Sequence, residues 1–194
     1  MAVPRDHLAL WLDAADPRSV ERAADGGVAT WRDKSGRARD AAQPEAARRP
    51  QYAADALLGR PALKFSETTK TWLAVPDLAA QKITATIFAV VSNPEPGSEV
   101  NHDPRVLTAS DGQGYDYVVG LALSVPGLET GGPRVLSGVY RDKWAKVVHV
   151  GCFSPGLQTY LTGLVSEILV YDRALTPDET AQVRAYLACK WRLP

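Results

Sequence analysis

Acidic and aromatic side chains in the middle of the chain have the chemistry that a sugar-binding site uses. Asp103, Asp111, Tyr115 and Trp144 come from separate segments that we place in loops or at strand ends. A sugar ring presents apolar C–H faces and directional hydroxyl groups, so aromatic faces and carboxylate oxygens together suit it. This interpretation requires the fold to bring the segments to one rim. The short connection over residues 142–146 also allows Trp144 to pack back onto the sheet.

The same part of the chain carries oxygen atoms that could hold calcium. Asn101, His102 and Asp103 lie in one predicted loop, and Asp111 lies in the next, over residues 110–115. Calcium takes about six to eight oxygen ligands, which Asp and Asn from adjacent loops can supply. The spacing matches no EF-hand loop, and short Asp/Gly segments are usually turns. We therefore expect no cofactor and no metal site, with calcium at these loops as the alternative.

The C-terminal stretch over residues 163–191 predicts a strand, a turn and a helix in succession. Residues 164–171 alternate with mostly apolar side chains on both faces, which is typical of a covered strand. Thr176, Pro177 and Glu179 form a capping-box pattern, so we expect a helix over residues 177–190. Helical spacing gives this helix one aromatic and aliphatic face, made of Val183, Tyr186, Leu187 and Trp191.

Alternating runs bounded by turn residues predict further strands along the chain. The longest signal in the front half covers residues 83–92, which we expect to form a central strand. Strands, turns and a single helical pattern predict an all-β fold, an antiparallel β-sandwich (jelly roll) with a short C-terminal helix. The other predicted strands cover residues 8–12, 62–65, 72–75, 105–109, 117–125, 135–140 and 146–153.

Several residues are better explained by structure than by ligand binding. Trp11 and Trp31 have the flanking alternation of core residues, and His149 in KVVHVG is typical of a hydrogen-bonded sheet residue. We interpret residues 50–62 as a connection because Pro and Gly punctuate them. Residues 32–49 are rich in Arg, and a solvated loop of mixed charge is more typical of this composition than a patch for acidic glycans. We expect these side chains to be buried in the core: Leu10, Leu12, Phe65, Ile87, Val90, Ile168, Val170 and Leu187.

Both ends of the chain carry motifs of one family. They read LALWLDAAD at residues 8–16, TWRDKSG at 30–36, RPALKF at 60–65, ATIFAVV at 85–91, and EILVYDRALTPDE at 167–179 before YLACKW. With these motifs the chain resembles the concanavalin A-like lectin/glucanase superfamily, specifically its laminin G-like jelly-roll domains of bacterial or phage type. The resemblance implies a single domain over residues 1–194. This superfamily hosts lectins, enzymes and adhesion modules, so the motifs indicate a fold more strongly than a function.

The resemblance also provides a test for catalysis. Glucanases of this superfamily place two carboxylates on one strand face, as Glu-x-Asp-x-Glu or a close variant. No Asp or Glu of this chain has an acidic residue two positions away, and no Gly-x-Ser-x-Gly motif is present. We therefore expect that the chain is not an enzyme, and we predict a non-catalytic glycan-binding or surface-adhesion domain. The alternative is a structural or adhesion component of a bacteriophage virion, such as a capsid decoration or tail protein.

Charge and hydropathy restrict the class of partner. The chain has 22 basic and 22 acidic residues and a formal net charge of +0, which favours neither nucleic acid nor an anionic membrane. No apolar run approaches the length of about 18 residues that indicates a membrane span. The N-terminal sequence MAVPRDHLALWLDAAD reaches aspartate too early for a signal peptide. We expect a glycan or polysaccharide as partner, or other virion or surface proteins, and a location at a cell surface or in a virion.

Overall fold

The protein folds into a sandwich of antiparallel sheets. The computed structural model describes residues 2–93, 105–112, 122–124, 131–156 and 160–194. These residues form a six-stranded and a seven-stranded sheet and one C-terminal α-helix. The predicted fold class is confirmed: an all-β sandwich with a short C-terminal helix.

The strands follow the chain as β1 (Leu8–Asp13), β2 (Val20–Arg22), β3 (Val28–Trp31), β4 (Ala41–Ala42), β5 (Gln51–Leu57), β6 (Arg60–Phe65), β7 (Leu73–Val75), β8 (Ile83–Asn93), β9 (Arg105–Ser110), β10 (Ala122–Ser124), β11 (Gly131–Lys143), β12 (Val147–Val150) and β13 (Gly163–Tyr171). The six-stranded sheet has the order β11-β8-β13-β6-β5, and β1 also pairs with β13. The seven-stranded sheet has the order β10-β9-β12-β7-β4-β3-β2. All of these strand pairs are antiparallel.

The main hydrophobic core lies between the two sheets. Ile87, Ile168 and Val170 of the six-stranded sheet pack in one cluster with Leu73 and Val150 of the seven-stranded sheet. This arrangement follows from the alternation of each strand, which directs every second side chain inward. All of the core residues predicted from the sequence are buried, and none is more than 1% exposed.

The helix α1 (Pro177–Trp191) covers the outer surface of the six-stranded sheet. Thr176 accepts a hydrogen bond from the Glu179 amide while the Glu179 side chain accepts one from the Thr176 amide, so the predicted capping box is confirmed. The buried helix residues pack on outward-facing residues of β1, β8 and β13 in a second hydrophobic cluster. The helix therefore begins where its sequence signal begins, and its apolar face seals one side of the sandwich.

A buried carboxylate joins this helix to the sheet beneath it. Glu167 of β13 is 0% exposed, and its Oε1 accepts hydrogen bonds from Trp11 Nε1 at 2.7 Å and Tyr186 Oη at 3.1 Å. Its Oε2 accepts from Trp191 Nε1 and lies 2.9 Å from Lys190 Nζ. Burial raises the pKa of this carboxyl, and the Lys190 ammonium opposes that shift. Every lone pair that burial removes from water is replaced by a donor from β1 or α1.

A second carboxylate extends the network to a loop near the N-terminus. Lys190 Nζ also lies 2.7 Å from Asp13 Oδ1, and Lys34 Nζ lies 2.6 Å from Asp13 Oδ2. Lys34 contacts Asp16 as well, at 3.1 Å. The two lysines alternate with carboxylates of β1, β13 and the loop after β1, so charges that would be costly alone are paired.

Residues 50–62 are not the connection that the sequence suggested. They form most of a hairpin, in which β5 pairs with β6 through Tyr52–Leu63 and Ala53–Ala62. Its turn contains Leu58 and Gly59 at φ values of 52° and 72°, a two-residue hairpin conformation that usually selects Asn or Gly. The strand was missed because alanine has weak strand propensity, and the turn was missed because Leu58 occupies a position that favours other residues.

The two cysteines are both free thiols. Cys152 is buried beside the seven-stranded sheet, and Cys189 is exposed on α1. Burial raises the pKa of the Cys152 thiol, which keeps it in the weakly nucleophilic protonated form.

Truncation of Ile168 tests the central position of β13. We expect Ile168→Ala to lower the free energy of unfolding by about 2–5 kcal/mol, because its side chain is fully buried in the core between the sheets. Val139→Ala is the matched control: Val139 is 50% exposed on β11, so its change should stay within about 0.5 kcal/mol. Urea denaturation followed by circular dichroism measures both, and an equal effect of the two substitutions would contradict the assignment of the core.

Substitution of Glu167 tests the buried network. Glu167→Gln removes the charge that faces Lys190 and directs an amide N–H₂ group toward existing donors, so we expect a loss of about 3–5 kcal/mol in unfolding free energy. Glu179→Gln provides the control, because Gln also serves at that position of a capping box and the side chain is partly exposed. A Glu167→Gln protein as stable as the parent would show that the carboxylate does not hold α1 in place.

Candidate functional site

One row of directly paired residues crosses all strands of the seven-stranded sheet. It runs Glu21–Thr30–Ala42–Ala74–His149–Thr108–Ala122, and each neighbour is a register partner in the sheet. Paired residues of antiparallel strands project from the same face. Residues on either side of the row, such as Leu73 and Val150, pack in the core, so the row lies on the side of the sheet that faces away from the sandwich. We call this surface the outer face.

Small side chains line the middle of the outer face. Thr30, Ala42 and Ala74 are all half-buried, and they occupy adjacent strands. The outer surface of the six-stranded sheet is different, because its large apolar residues are covered by α1. Among the described residues, no α-helix packs on the outer face. The middle of the outer face therefore carries small side chains and, in the described structure, no helix over them. We call this stretch of Thr30, Ala42 and Ala74 the trough.

An aromatic pair stands beside this trough. Trp72 precedes Leu73, a core residue, so its side chain projects to the outer face. Its indole meets the His149 ring edge to face, with centroids 5.2 Å apart and planes at 84°. The Trp72 Nε1 atom is buried and, within the described part of the chain, has no hydrogen-bond acceptor. The Trp72 ring is half-buried, and indole faces stack on sugar rings.

Both His149 and the residue next to it in the row are anchored by one chain segment. Thr108 Oγ1 lies 2.9 Å from the Cys152 carbonyl and 3.0 Å from the Phe153 carbonyl. The Phe153 carbonyl also accepts a hydrogen bond from His149. Burial lowers the pKa of His149, so near neutral pH its second ring nitrogen is a hydrogen-bond acceptor. The pair Trp72 and His149 thus combines a half-buried indole with a neutral imidazole.

The arginines near this face are already engaged. Arg32 pairs with Glu21 at 3.0 Å, and Arg48 with Glu45 at 2.9 Å. Arg49 donates to the carbonyls of Gln43 and Pro44. These contacts agree with the predicted mixed charge of residues 32–49, but the segment is not only a loop, because it contains β4 and a 3-10 helix over Ala46–Arg48. Arg39 also attaches this segment to the sandwich, because its guanidinium donates hydrogen bonds to the Ala9 and Leu78 carbonyls.

The structure describes two of the four residues predicted from the sequence as ligand contacts, Asp111 and Trp144. Asp103 and Tyr115 fall outside the described residues. Asp111 follows β9, and Trp144 is half-buried just after β11 with Lys146 Nζ 4.7 Å from its ring centroid. The Lys146 amide donates to the Ser110 carbonyl at 2.9 Å, so Asp111 and Trp144 belong to neighbouring segments. The expectation that these two residues lie on one rim with Asp103 and Tyr115 stays a prediction.

The expectation of no metal site, with calcium as the alternative, also stays a prediction. Across the described ranges, no three His, Cys, Asp or Glu side chains are grouped as a metal site requires. Most of the loop residues proposed as calcium ligands, including Asn101 and His102, fall outside those ranges.

Sequence reasoning missed Trp72 as a site residue and treated His149 as structural. His149 is indeed a hydrogen-bonded sheet residue, but the face of the sheet on which its side chain lies was not considered. Two local patterns contain the signal, because alternate residues of a strand share a face. Trp72 therefore projects opposite Leu73 and Val75, and His149 projects opposite Val148 and Val150. What no local pattern contains is the register that places β12 beside β7.

Comparisons with known proteins support the fold. No protein-family model and no curated protein matches the chain. Domain 4 of AbnA, a GH43 extracellular arabinanase from Geobacillus stearothermophilus in complex with arabinotriose, is similar with a TM-score of 0.55 and 14% identity, over 91% of this chain and 98% of that domain. Trypanosoma rangeli sialidase in complex with the inhibitor DANA is similar with a TM-score of 0.54 and 18% identity, over 92% of this chain. This chain spans only 32% of that sialidase chain.

The expectation that the chain is not an enzyme is contradicted by these comparisons. The similar structures are mainly those of a sialidase, including a mutant displaying trans-sialidase activity, and the likeness leans towards a glycosidase-like fold. The expectation rested on the absence of one arrangement, a carboxylate pair on a single strand face. Sialidases use a tyrosine nucleophile, so the absence of that pair does not test for enzymes of this kind.

The sequence contains no apolar run long enough for a membrane span, and the structure agrees for the residues that it describes: none of its helices is long and apolar enough to cross a bilayer.

The buried imidazole of His149 predicts acid sensitivity. Its pKa lies below the reference of 6.5, so the unfolded chain binds a proton more readily than the folded one. The contribution of the neutral His149 side chain to the free energy of unfolding is therefore fully present above pH 6.5. It is lost as the pH falls through the lower pKa of the folded state. We expect the urea midpoint of the parent to decrease as the pH falls below 6.5, and that of His149→Gln to change much less over the same interval.

A surface histidine provides the control for this titration. His7→Gln alters a side chain that is 51% exposed, so this variant should retain the acid sensitivity of the parent. If His149→Gln shows the full loss of stability that the parent shows, another group is responsible.

Proposed function

We propose that this protein is a carbohydrate-binding domain and that it binds saccharides on the outer face of the seven-stranded sheet. The observation that carries the proposal is the placement of Trp72 and His149 beside the trough of Thr30, Ala42 and Ala74. A half-buried indole and a neutral imidazole meet there. This combination fits a ligand with apolar ring faces and directional hydroxyl groups.

The comparisons support a carbohydrate-related role. Domain 4 of the arabinanase matches this chain over nearly the whole length of both, and the structure of that domain is a complex with arabinotriose. The sialidase structures are also those of a carbohydrate-active protein, although this chain matches about a third of it. At identities of 14% and 18% the fold is what is shared, so the ligand class rests on the chemistry of the outer face.

The concanavalin A-like, laminin G-like relationship belongs to the same proposal. The motifs at both ends of the chain and the two-sheet sandwich are compatible with it. The virion alternative stays a prediction without a structural observation in its favour, and the outer face favours the carbohydrate hypothesis over it.

Calorimetric titration tests the proposal. Arabinotriose is the first ligand and sialic acid the second. Each is titrated once in the presence of calcium and once in the presence of a chelator. We expect Trp72→Ala to weaken saccharide binding at least about tenfold, corresponding to about 1.4 kcal/mol, because the stacking surface is lost. Trp72→Phe should retain part of the affinity, since it keeps an aromatic ring of smaller area. Chromatography of the same mixtures after incubation shows whether the saccharide is cleaved.

Two variants away from the outer face provide controls. Trp144→Ala and Asp111→Ala alter the alternative cluster after β11 and β9, and we expect both to bind as the parent does. Loss of binding in these variants but not in Trp72→Ala would move the site to that cluster. Absence of binding to every saccharide tested would contradict the proposed function. Urea denaturation of each variant separates lost binding from lost folding.

A further inference from the structure

Exposure decreases along the row of the outer face from one edge of the sheet inward. The Glu21 side chain is 56% exposed at the β2 edge. Thr30, Ala42 and Ala74 are half-buried, His149 is 9% exposed and Thr108 is 2% exposed. Beyond Thr108, Ala122 on β10 is half-buried again. A surface of uniform depth would not show this gradient.

The burial of His149 and Thr108 has an identifiable cause. The carbonyls of Cys152 and Phe153 lie within hydrogen-bond distance of Thr108 Oγ1, and His149 donates to the Phe153 carbonyl. The segment that carries these carbonyls therefore crosses the row at β9 and β12. At the opposite end, β2 is the last strand of the sheet, and Glu21 contacts only a side chain of the same hairpin in the described structure, Arg32.

The open part of the trough is longer than one sugar ring. Thr30, Ala42, Ala74 and His149 occupy four successive strands of the sheet. With a spacing of about 4.8 Å between strands, Thr30 lies about 14 Å from His149. A chain that follows the row runs across the strands and has small side chains beneath it until it reaches Trp72 and His149.

We infer that the outer face binds the end of a saccharide chain, with the terminal ring against Trp72 and His149 and the following rings directed over Ala74, Ala42 and Thr30 toward the β2 edge. This inference rests on the proposed carbohydrate-binding function. A chain bound through its interior would have to continue past Thr108, where the Cys152–Phe153 carbonyls stand. The substrate class is therefore an oligosaccharide or polysaccharide that presents a free end.

Ligands labelled at one end test the inference on the unaltered protein. Arabinotriose carries a bulky fluorophore on its reducing end in one form and on its non-reducing end in the other. We expect one form to bind like unlabelled arabinotriose and the other to lose binding, because one end is enclosed and the other leaves over β2. Equal binding of both forms would overturn the inference and indicate an interior segment as ligand. Loss of binding in both would overturn it too, because it would indicate a trough closed at both ends.

A filled trough provides an independent measurement. Ala42→Phe should weaken arabinotriose binding at least about tenfold more than arabinose binding, because the terminal ring does not reach Ala42. The control is Ala56→Phe, at an exposed position of β5 in the other sheet, which should change neither. Equal weakening of arabinose and arabinotriose by Ala42→Phe would overturn the inference. If unlabelled arabinotriose and the other saccharides do not bind at all, the proposed function fails, and the inference fails with it.

Discussion

The carboxylate of Glu167 is the constraint on which the outer layer of the six-stranded sheet depends. A charge with no exposure to solvent is tolerated only where donors surround it, and here Trp11, Tyr186, Lys190 and Trp191 supply them. Because these donors come from the first strand and the last helix, satisfying one carboxylate fixes both elements against β13. Lys190 then passes the constraint to Asp13, and Asp13 to Lys34. The helix is consequently held by polar contacts that specify its position as well as by its apolar face.

The outer faces of the two sheets differ in composition, and α1 covers only that of the six-stranded sheet among the described residues. On the six-stranded sheet the outward residues are large and apolar, and α1 covers them. On the seven-stranded sheet the outward row is made of small and polar residues, with Trp72 and His149 beside it. The two sheets share the core between them, so the sandwich can support a binding surface on one side without weakening the packing on the other.

The fold was largely predictable from the sequence because its signals are local. The alternation of residues 164–171 and the capping box at Thr176 each depend on neighbours in sequence, and both were confirmed. The candidate site was less predictable because it depends on register between strands distant in sequence. His149 meets Trp72 only because β12 pairs with β7, and no pattern within either segment states that pairing. The hairpin of β5 and β6 was missed for a third reason, since its alanines and Leu58 contradict the usual preferences for strand and turn.

The pairing of β1 with β13 has a kinetic consequence. Leu10 lies opposite Val170, so nearly the whole chain forms the loop that this pair of strands closes. Contacts of such long sequence separation slow folding, because chain entropy is lost before the contacts are gained. Until β1, β13 and α1 meet, the indoles of Trp11 and Trp191 cannot donate to Glu167 and stay accessible to water. The burial of these two indoles is therefore tied to the joining of the two ends of the chain.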